Sequence, residues 1–204
     1  MRIIIAANGE LSGKISGHLA DADMLIACDG ASKELIRREI IPDIIIGDLD
    51  SIDPAIKELY QDRIIRVACQ ETNDMTKALN KALEFHPDTI LFFGLGGKRE
   101  DHTIANFSLL CDYKDQHPEI GFSSISDYTT AIPLLDSCTL ETIPGQALSI
   151  ISMDPTLEIT SDGLQYPTDG IRLDRWWKAT LNRIQKDRVS LQFNHPAMCL
   201  VFIS

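Results

Sequence analysis

Pro42-Asp43-Ile44-Ile45-Ile46-Gly47-Asp48-Leu49-Asp50-Ser51 is the stretch that decides the fold. A β-branched run stops abruptly at a glycine and two aspartates. Such a short apolar run reads as a buried strand, and the Asp/Gly cluster after it as the turn that ends it. The same junction recurs along the first half of the chain. Met24 to Cys28 runs into Asp29-Gly30-Ala31, and Thr89 to Phe93 runs into Gly94-Leu95-Gly96-Gly97-Lys98-Arg99-Glu100-Asp101-His102, continuing to Asn106. Arg63 to Ala68 precedes Gln70-Glu71-Thr72-Asn73-Asp74-Met75-Thr76-Lys77-Ala78-Leu79 by one residue. Arg2 to Ala7 supplies a further strand. Helical stretches follow these runs at roughly 12–20, 31–39, 54–61, 75–85 and 102–112. In the fourth, Met75, Leu79, Ala82 and Leu83 share one face. Asp53-Pro54 has the form of an N-cap followed by proline at the first helical position.

This alternation predicts a parallel-sheet α/β domain over residues 1–125, with helices on both faces of the sheet. The carboxyl ends of parallel strands line one crevice, where ligands bind. Aspartates far apart in sequence therefore converge there. After about residue 125 the pattern changes. Strand-like runs at Thr139–Ile143, Ala147–Met153, Leu157–Thr160, Val189–Phe193 and Met198–Ile203 alternate with turn signals such as Pro144-Gly145 and Asp162-Gly163. Residues 126–204 are expected to form a small antiparallel β-sandwich domain.

The composition, 44% hydrophobic and 24% charged, is that of a globular protein. A net charge of −11 lacks the basic face that nucleic-acid binding requires. No apolar run approaches membrane-spanning length. The start, Met1-Arg2-Ile3-Ile4-Ile5, is too short for the apolar core of a signal peptide. The five cysteines (28, 69, 111, 138 and 199) are odd in number and lack CxxC spacing, as expected of reduced thiols in a cytoplasmic protein.

The motifs carry phosphate chemistry. Clustered carboxylates repel one another unless a hard cation neutralises them, and Mg²⁺ shared with substrate phosphates is the usual partner. In Asp48-Leu49-Asp50, carboxylates two apart on an extended segment point the same way and can grip one ion. The plainer reading is a turn before the next helix. Asp29-Gly30 is a common turn pair. Asn73-Asp74 has the form of an N-cap. Lys77, one turn into that helix, sits against the macrodipole, which points its charge toward a phosphate; otherwise it is a solvated surface lysine. The glycines at 94, 96 and 97 allow a phosphate to approach the backbone, and Lys98 and Arg99 supply charge-assisted donors. Asp101 and His102 read either as site residues or as a helix cap and a surface histidine. Trp176-Trp177 reads either as an aromatic stacking surface or as sandwich core.

Taken in order, these motifs resemble the thiamine pyrophosphokinase (thiamine diphosphokinase) family, whose pattern is DGGA, PDxIxGDxDS, QxxTDxxKAL and GGRxDHxxAN. Thr160-Ser161-Asp162-Gly163-Leu164-Gln165-Tyr166-Pro167 is similar to the family's TxxGLxYP, and Thr180-Leu181-Asn182 stands near its SN pair. Three departures stand out. Asn73 replaces a threonine, Lys98 replaces the second glycine of GGR, and Leu181 replaces the serine of SN.

The resemblance implies transfer of a diphosphoryl group from ATP to the hydroxyl of thiamine, giving thiamine diphosphate and AMP. It implies Mg²⁺ on Asp29, Asp48, Asp50 and Asp74, with Asp74, Lys77, Arg99 and Asp101 in catalytic roles. ATP would meet Asn73, Lys77, Arg99 and His102. Thiamine would meet Asn182 and Trp176 or Trp177 at a homodimer interface. Two other readings are a Mg²⁺-dependent phosphohydrolase built on Asp48-Leu49-Asp50 and a non-catalytic nucleotide sensor that has lost the thiamine pocket.

Overall fold

The computed structural model describes residues 1–50, 52–68 and 71–204. Ser51, Cys69 and Gln70, which belong to the motifs and thiols read above, lie outside the described residues. The chain divides into two compact units. One comprises Met1–Phe107 with Glu119–Asp127, the other Ser108–Pro118 with Tyr128–Ser204.

In the first unit, strands β1 (Arg2–Ala6), β2 (Met24–Cys28), β3 (Ile44–Gly47), β4 (Ile64–Arg66), β5 (Thr89–Phe93) and β6 (Gly121–Ile125) lie in the order β6-β5-β1-β2-β3-β4. All the pairs are parallel. Ile3, Ile4 and Ile5 of β1 are all fully buried. A strand covered on both faces reads as a continuous apolar run, which explains its lack of alternation. One face carries Ile4, Ala6, Leu25, Ala27, Leu91 and Phe93, covered by helices α1 (Ile15–Leu19) and α2 (Asp29–Arg37) through Ile15, Ala31 and Leu35. Helix α4 (Asp74–Leu83) packs on β1, β2 and β3 through buried Met75, Ala78, Leu79 and Ala82. Helix α3 (Pro54–Leu59) starts as read: the Asp53 carboxylate accepts from the Ala55 N–H at 3.0 Å, and proline follows it. Helix α5 (Glu100–Gln116) is the longest described helix, and the division between the units falls after its Phe107.

In the second unit, β7 (Thr130–Leu134), β13 (Cys199–Ile203), β9 (Ala147–Ser152) and β11 (Ala179–Arg183) form one antiparallel sheet. Strands β8 (Cys138–Glu141), β12 (Arg188–Phe193) and β10 (Ile159–Asp162) form a second. Their inner faces meet in a core containing Leu148, Ile150 and Val201 from one sheet and Ile159, Val189 and Leu191 from the other. β12 alternates exposed and buried positions along its length, the signature of a half-covered strand. This is the expected sandwich, with β7 and β11 added to the strands read from the sequence. The register of β11 shifts between Ala179 and Asn182, with Leu181 at φ 59°. The bulge turns Leu181 out to 85% exposure and Asn182 inward.

Candidate active site

The strand order reverses at β1. The chain proceeds outward through β2, β3 and β4, then returns to place β5 on the other side of β1. That reversal is where an open α/β sheet binds ligands. Here the two loops leaving β1 and β5 are tied together: Gly9 N–H donates to Gly94 O at 2.7 Å, and Glu10 N–H to Gly96 O at 2.7 Å. The tie requires glycine at position 9, where a Cβ would lie 2.1 Å from Gly94 O. Asn106 of α5 pins the second loop by donating to Leu95 O at 2.7 Å.

A cavity of about 690 Å³ opens at this point. Asp48, Asn73, Asp74, Lys77, Lys98, Arg99 and His102 line it, as do Asn8 and Gly9. Asn73 caps α4, its Oδ1 accepting from Thr76 N–H at 2.8 Å. Asp74 thereby opens the helix, where a carboxylate suits the macrodipole. Lys77 is not a solvated lysine. Its side chain is 4% exposed, and its Nζ meets Asp74 Oδ1 at 2.9 Å. Burial alone lowers a lysine's pKa, but the hydrogen bond and charge of Asp74, backed by Asp48 and Asp29, hold the Lys77 ammonium above its ordinary value.

Asp29 starts α2 directly at the end of β2, because Cys28 stays extended at φ −60°, ψ 148°. Its carboxylate is buried and accepts from Leu49 N–H at 3.0 Å. It supports the site from behind Gly47 and does not line the cavity. Cys28 does line it, and burial first, then the charges of Asp74 and Asp29, raise its thiol far above the usual range.

The Asp48-Leu49-Asp50 segment is not the extended one on which the paired grip was read, because Leu49 adopts φ 68°. Asp50 is exposed and outside the cavity lining, and its N–H donates to Asp48 Oδ1 at 3.1 Å. At the cavity rim, Arg99 is paired with Asp101 at 2.6 and 3.1 Å, and this fork holds the Asp101 carboxyl below its usual range. Lys98 donates to Asn8 Oδ1 at 3.0 Å.

Among the described residues, no three His, Cys, Asp or Glu side chains are grouped so as to hold a metal by themselves. Mg²⁺ seldom needs such a cage, because it keeps waters and takes one or two carboxylates together with substrate phosphates. Asp48 and Asp74 on one cavity fit that mode.

In the second unit, the Asn182 amide is bonded to the backbone of a neighbouring loop. Its Nδ2 donates to Tyr166 O at 2.6 Å, and its Oδ1 accepts from Tyr166 N–H at 3.1 Å. Trp176 and Trp177 precede β11 and are 55% and 71% exposed, so neither belongs to the sandwich core. Tyr166 is exposed as well.

Asn8 and Gly9 were not visible as site residues in the sequence. Only the strand order, which brings β1 beside β5, reveals them.

Fold and cavity define an α/β protein whose switch-point cavity is lined by carboxylates, a buried lysine and a glycine loop, followed in the chain by a β-sandwich. A family model for the thiamin pyrophosphokinase catalytic domain matches residues 16–122, and one for the thiamin pyrophosphokinase substrate-binding domain matches residues 130–202. The chain belongs to the thiamin pyrophosphokinase family. It is 28% identical over 141 residues to thiamine pyrophosphokinase 2 of Oryza sativa subsp. japonica, covering 64% of this chain and 48% of that one. It is 29% identical over 114 residues to thiamine pyrophosphokinase of Bacillus subtilis, covering 54% and 53%. The match thus spans about half the length of these curated relatives. The crystal structure of the Bacillus subtilis thiamine pyrophosphokinase superposes with a TM-score of 0.87 at 26% identity, over 100% of this chain and 99% of that one. Thiamin pyrophosphokinase from Candida albicans shares the fold, with a TM-score of 0.85 at 17% identity, over 99% and 88%. No described helix is long and apolar enough to cross a membrane.

Proposed function

We propose that this chain transfers the diphosphoryl group of ATP to thiamine. The thiamine hydroxyl oxygen forms a bond to the β-phosphorus, the bond from that phosphorus to the α-phosphate oxygen breaks, and AMP leaves. The observation that supports this most is the buried Lys77, set among Asp74, Asp48 and Asp29 on the switch-point cavity. Such chemistry asks a protein mainly for positioning and charge neutralisation.

Asp48 and Asp74 would hold Mg²⁺, which when bound neutralises the phosphates and orients them. Asp29 fixes the loop that carries Asp48 by accepting from Leu49 N–H. Asp50 steadies the same loop through its N–H to Asp48. The Lys77 ammonium and the Arg99 guanidinium bind triphosphate oxygens, and the glycine loop admits those oxygens to its backbone. Asn73 shapes the site through its cap on α4, and His102 meets the nucleotide at the rim. Asp101 holds Arg99 in its planar pair and offers a proton acceptor for the hydroxyl. Thiamine stacks on Trp176 or Trp177 at a homodimer interface, next to the loop that Asn182 ties down. The exposure of both indoles and of Leu181 supports that placement. The described cysteines are all free thiols, which supports a reducing, cytoplasmic setting.

Incubation with ATP, Mg²⁺ and thiamine should yield AMP and thiamine diphosphate in equal amounts. ADP with thiamine monophosphate would show γ-phosphoryl transfer instead. Phosphate release without thiamine would restore the phosphohydrolase reading, and nucleotide binding without turnover the sensor.

A further inference from the structure

The geometry points to Lys77 as a built-in competitor of the divalent cation: it occupies Asp74 until a nucleotide phosphate draws its ammonium away, so the metal enters with the nucleotide and not ahead of it. The inference rests on the metal–nucleotide reading above and adds an order of binding to it.

Lys77 Nζ sits 2.9 Å from Asp74 Oδ1, and the two residues are three apart on α4. An ammonium on that oxygen opposes a metal ion on the same carboxylate, because it takes up lone-pair capacity and the two cations repel. Asp48 and Asp29 add their fields to the same lysine. The lysine thus neutralises in part the carboxylates that a metal would neutralise. Its stem is nearly inaccessible, whereas Asp74 is 33% exposed. Asp74 can therefore be reached from the cavity while the competing charge is already in place behind it.

The other cations at the rim do not share this role. Arg99 is engaged with Asp101, and Lys98 with Asn8. Lysine suits an exchange of partners better than arginine would. Its ammonium is a compact charge with three donors on a flexible stem, so it can exchange a carboxylate for a phosphate with a small swing. The exchange vacates Asp74 at the moment the phosphates that complete the metal's coordination arrive.

The test measures Mn²⁺ retained by the full chain, with and without a non-hydrolysable ATP analogue. Without nucleotide, the wild type should bind Mn²⁺ weakly. Lys77→Met and Lys77→Gln should each bind it about tenfold more tightly or better, the scale of removing a contact-distance charge under water-like screening. The analogue should then raise Mn²⁺ affinity more in the wild type than in either variant. Circular dichroism melts establish which variants are folded, and one folded variant suffices. Unchanged or weaker nucleotide-free binding in a folded variant would overturn the inference while leaving the metal–nucleotide reading intact. A wild type that retains no Mn²⁺ even with the analogue would overturn both.

Discussion

Gly47 stands against Asp29 with no room for a side chain: a Cβ at Gly47 would lie 2.6 Å from Asp29 Cγ and 2.8 Å from its Oδ2. A glycine on the third strand thus sets the position of a carboxylate at the end of the second. Gly47→Ala should push Asp29 aside and weaken its bond to Leu49 N–H. Overpacking of this kind costs about 1–3 kcal/mol. Chemical denaturation should show that loss, and turnover should fall with it because the loop carrying Asp48 is displaced. An alanine variant with wild-type stability and turnover would show that Asp29 has room to move aside.

The two aspartates of the Asp48-Leu49-Asp50 segment should behave differently. Asp48→Asn and Asp74→Asn should each lower turnover about a hundredfold or more, as losing a group that organises transition-state charge does. Asp50→Asn should have a much smaller effect, since its side chain is exposed and outside the cavity. Steady-state kinetics at saturating Mg²⁺ separates the cases. Equal losses at 48 and 50 would mean that both carboxylates reach the metal.

Acid should loosen the second unit at one identifiable point. The Asp154 carboxylate accepts from Thr156 Oγ1 at 2.6 Å and Thr156 N–H at 2.7 Å, and it lies 3.0 Å from His195 Nε2. The Thr156 hydroxyl foremost, then His195, lower its pKa from 3.8 to about 2. A carboxyl lowered on folding adds stability that is present above its unfolded value and lost as pH falls toward its folded value. Stability should therefore decline from about pH 4 to about pH 2 on this account. Asp154→Asn should melt lower at neutral pH and show a shallower decline across that window. Parallel curves for variant and wild type would rule the contact out as a contributor.

Thiamine should report on the exposed indoles. Replacing the stacking tryptophan, Trp176 or Trp177, with alanine should raise the thiamine concentration needed for half-maximal rate roughly tenfold, since stacking contributes about 1.4 kcal/mol and that is a factor of ten. The ATP requirement should hardly move. Thiamine should also quench tryptophan fluorescence in the wild type. If neither alanine variant changes the thiamine dependence, the indoles serve another contact.

Much of the first unit was legible because its signals are local. Buried parallel strands must be apolar along their whole length, so β1, β2, β3 and β5 stand out, and Asp53 and Asn73 announce the helices they cap. β6 escaped because Gly121-Phe122-Ser123-Ser124-Ile125 is half polar, and β7 because Pro133 interrupts it. The site aspartates were legible as motifs, but their geometry was not. Nothing in Asp48-Leu49-Asp50 signals that the leucine takes a left-handed backbone. The role of Asn8 and Gly9 depends on which strand lies beside β1, a property of the whole sheet. Lys77 was legible as a phosphate-facing charge, with a surface lysine as the alternative, but not as a buried one, because the carboxylates that keep it charged lie on three separate segments. The tryptophans looked equally suited to core and surface, since an indole satisfies both.

The two compact units are not consecutive in the chain. Residues 108–118 belong with the second, although 119–127 return to the first. A peptide cut after residue 125 would carry away a piece its neighbour needs, and the remainder would begin without it. Expressing the halves separately should therefore give two poorly folded fragments, and mixing them should be needed to recover order. During synthesis, residues 108–118 leave the ribosome before the strands of their own unit exist. The first unit in turn waits for β6, its last strand. Completion of one body and commencement of the other are thus interlaced in time, and a pause in translation near residue 128 would fall where the first is whole and the second has only its helical segment.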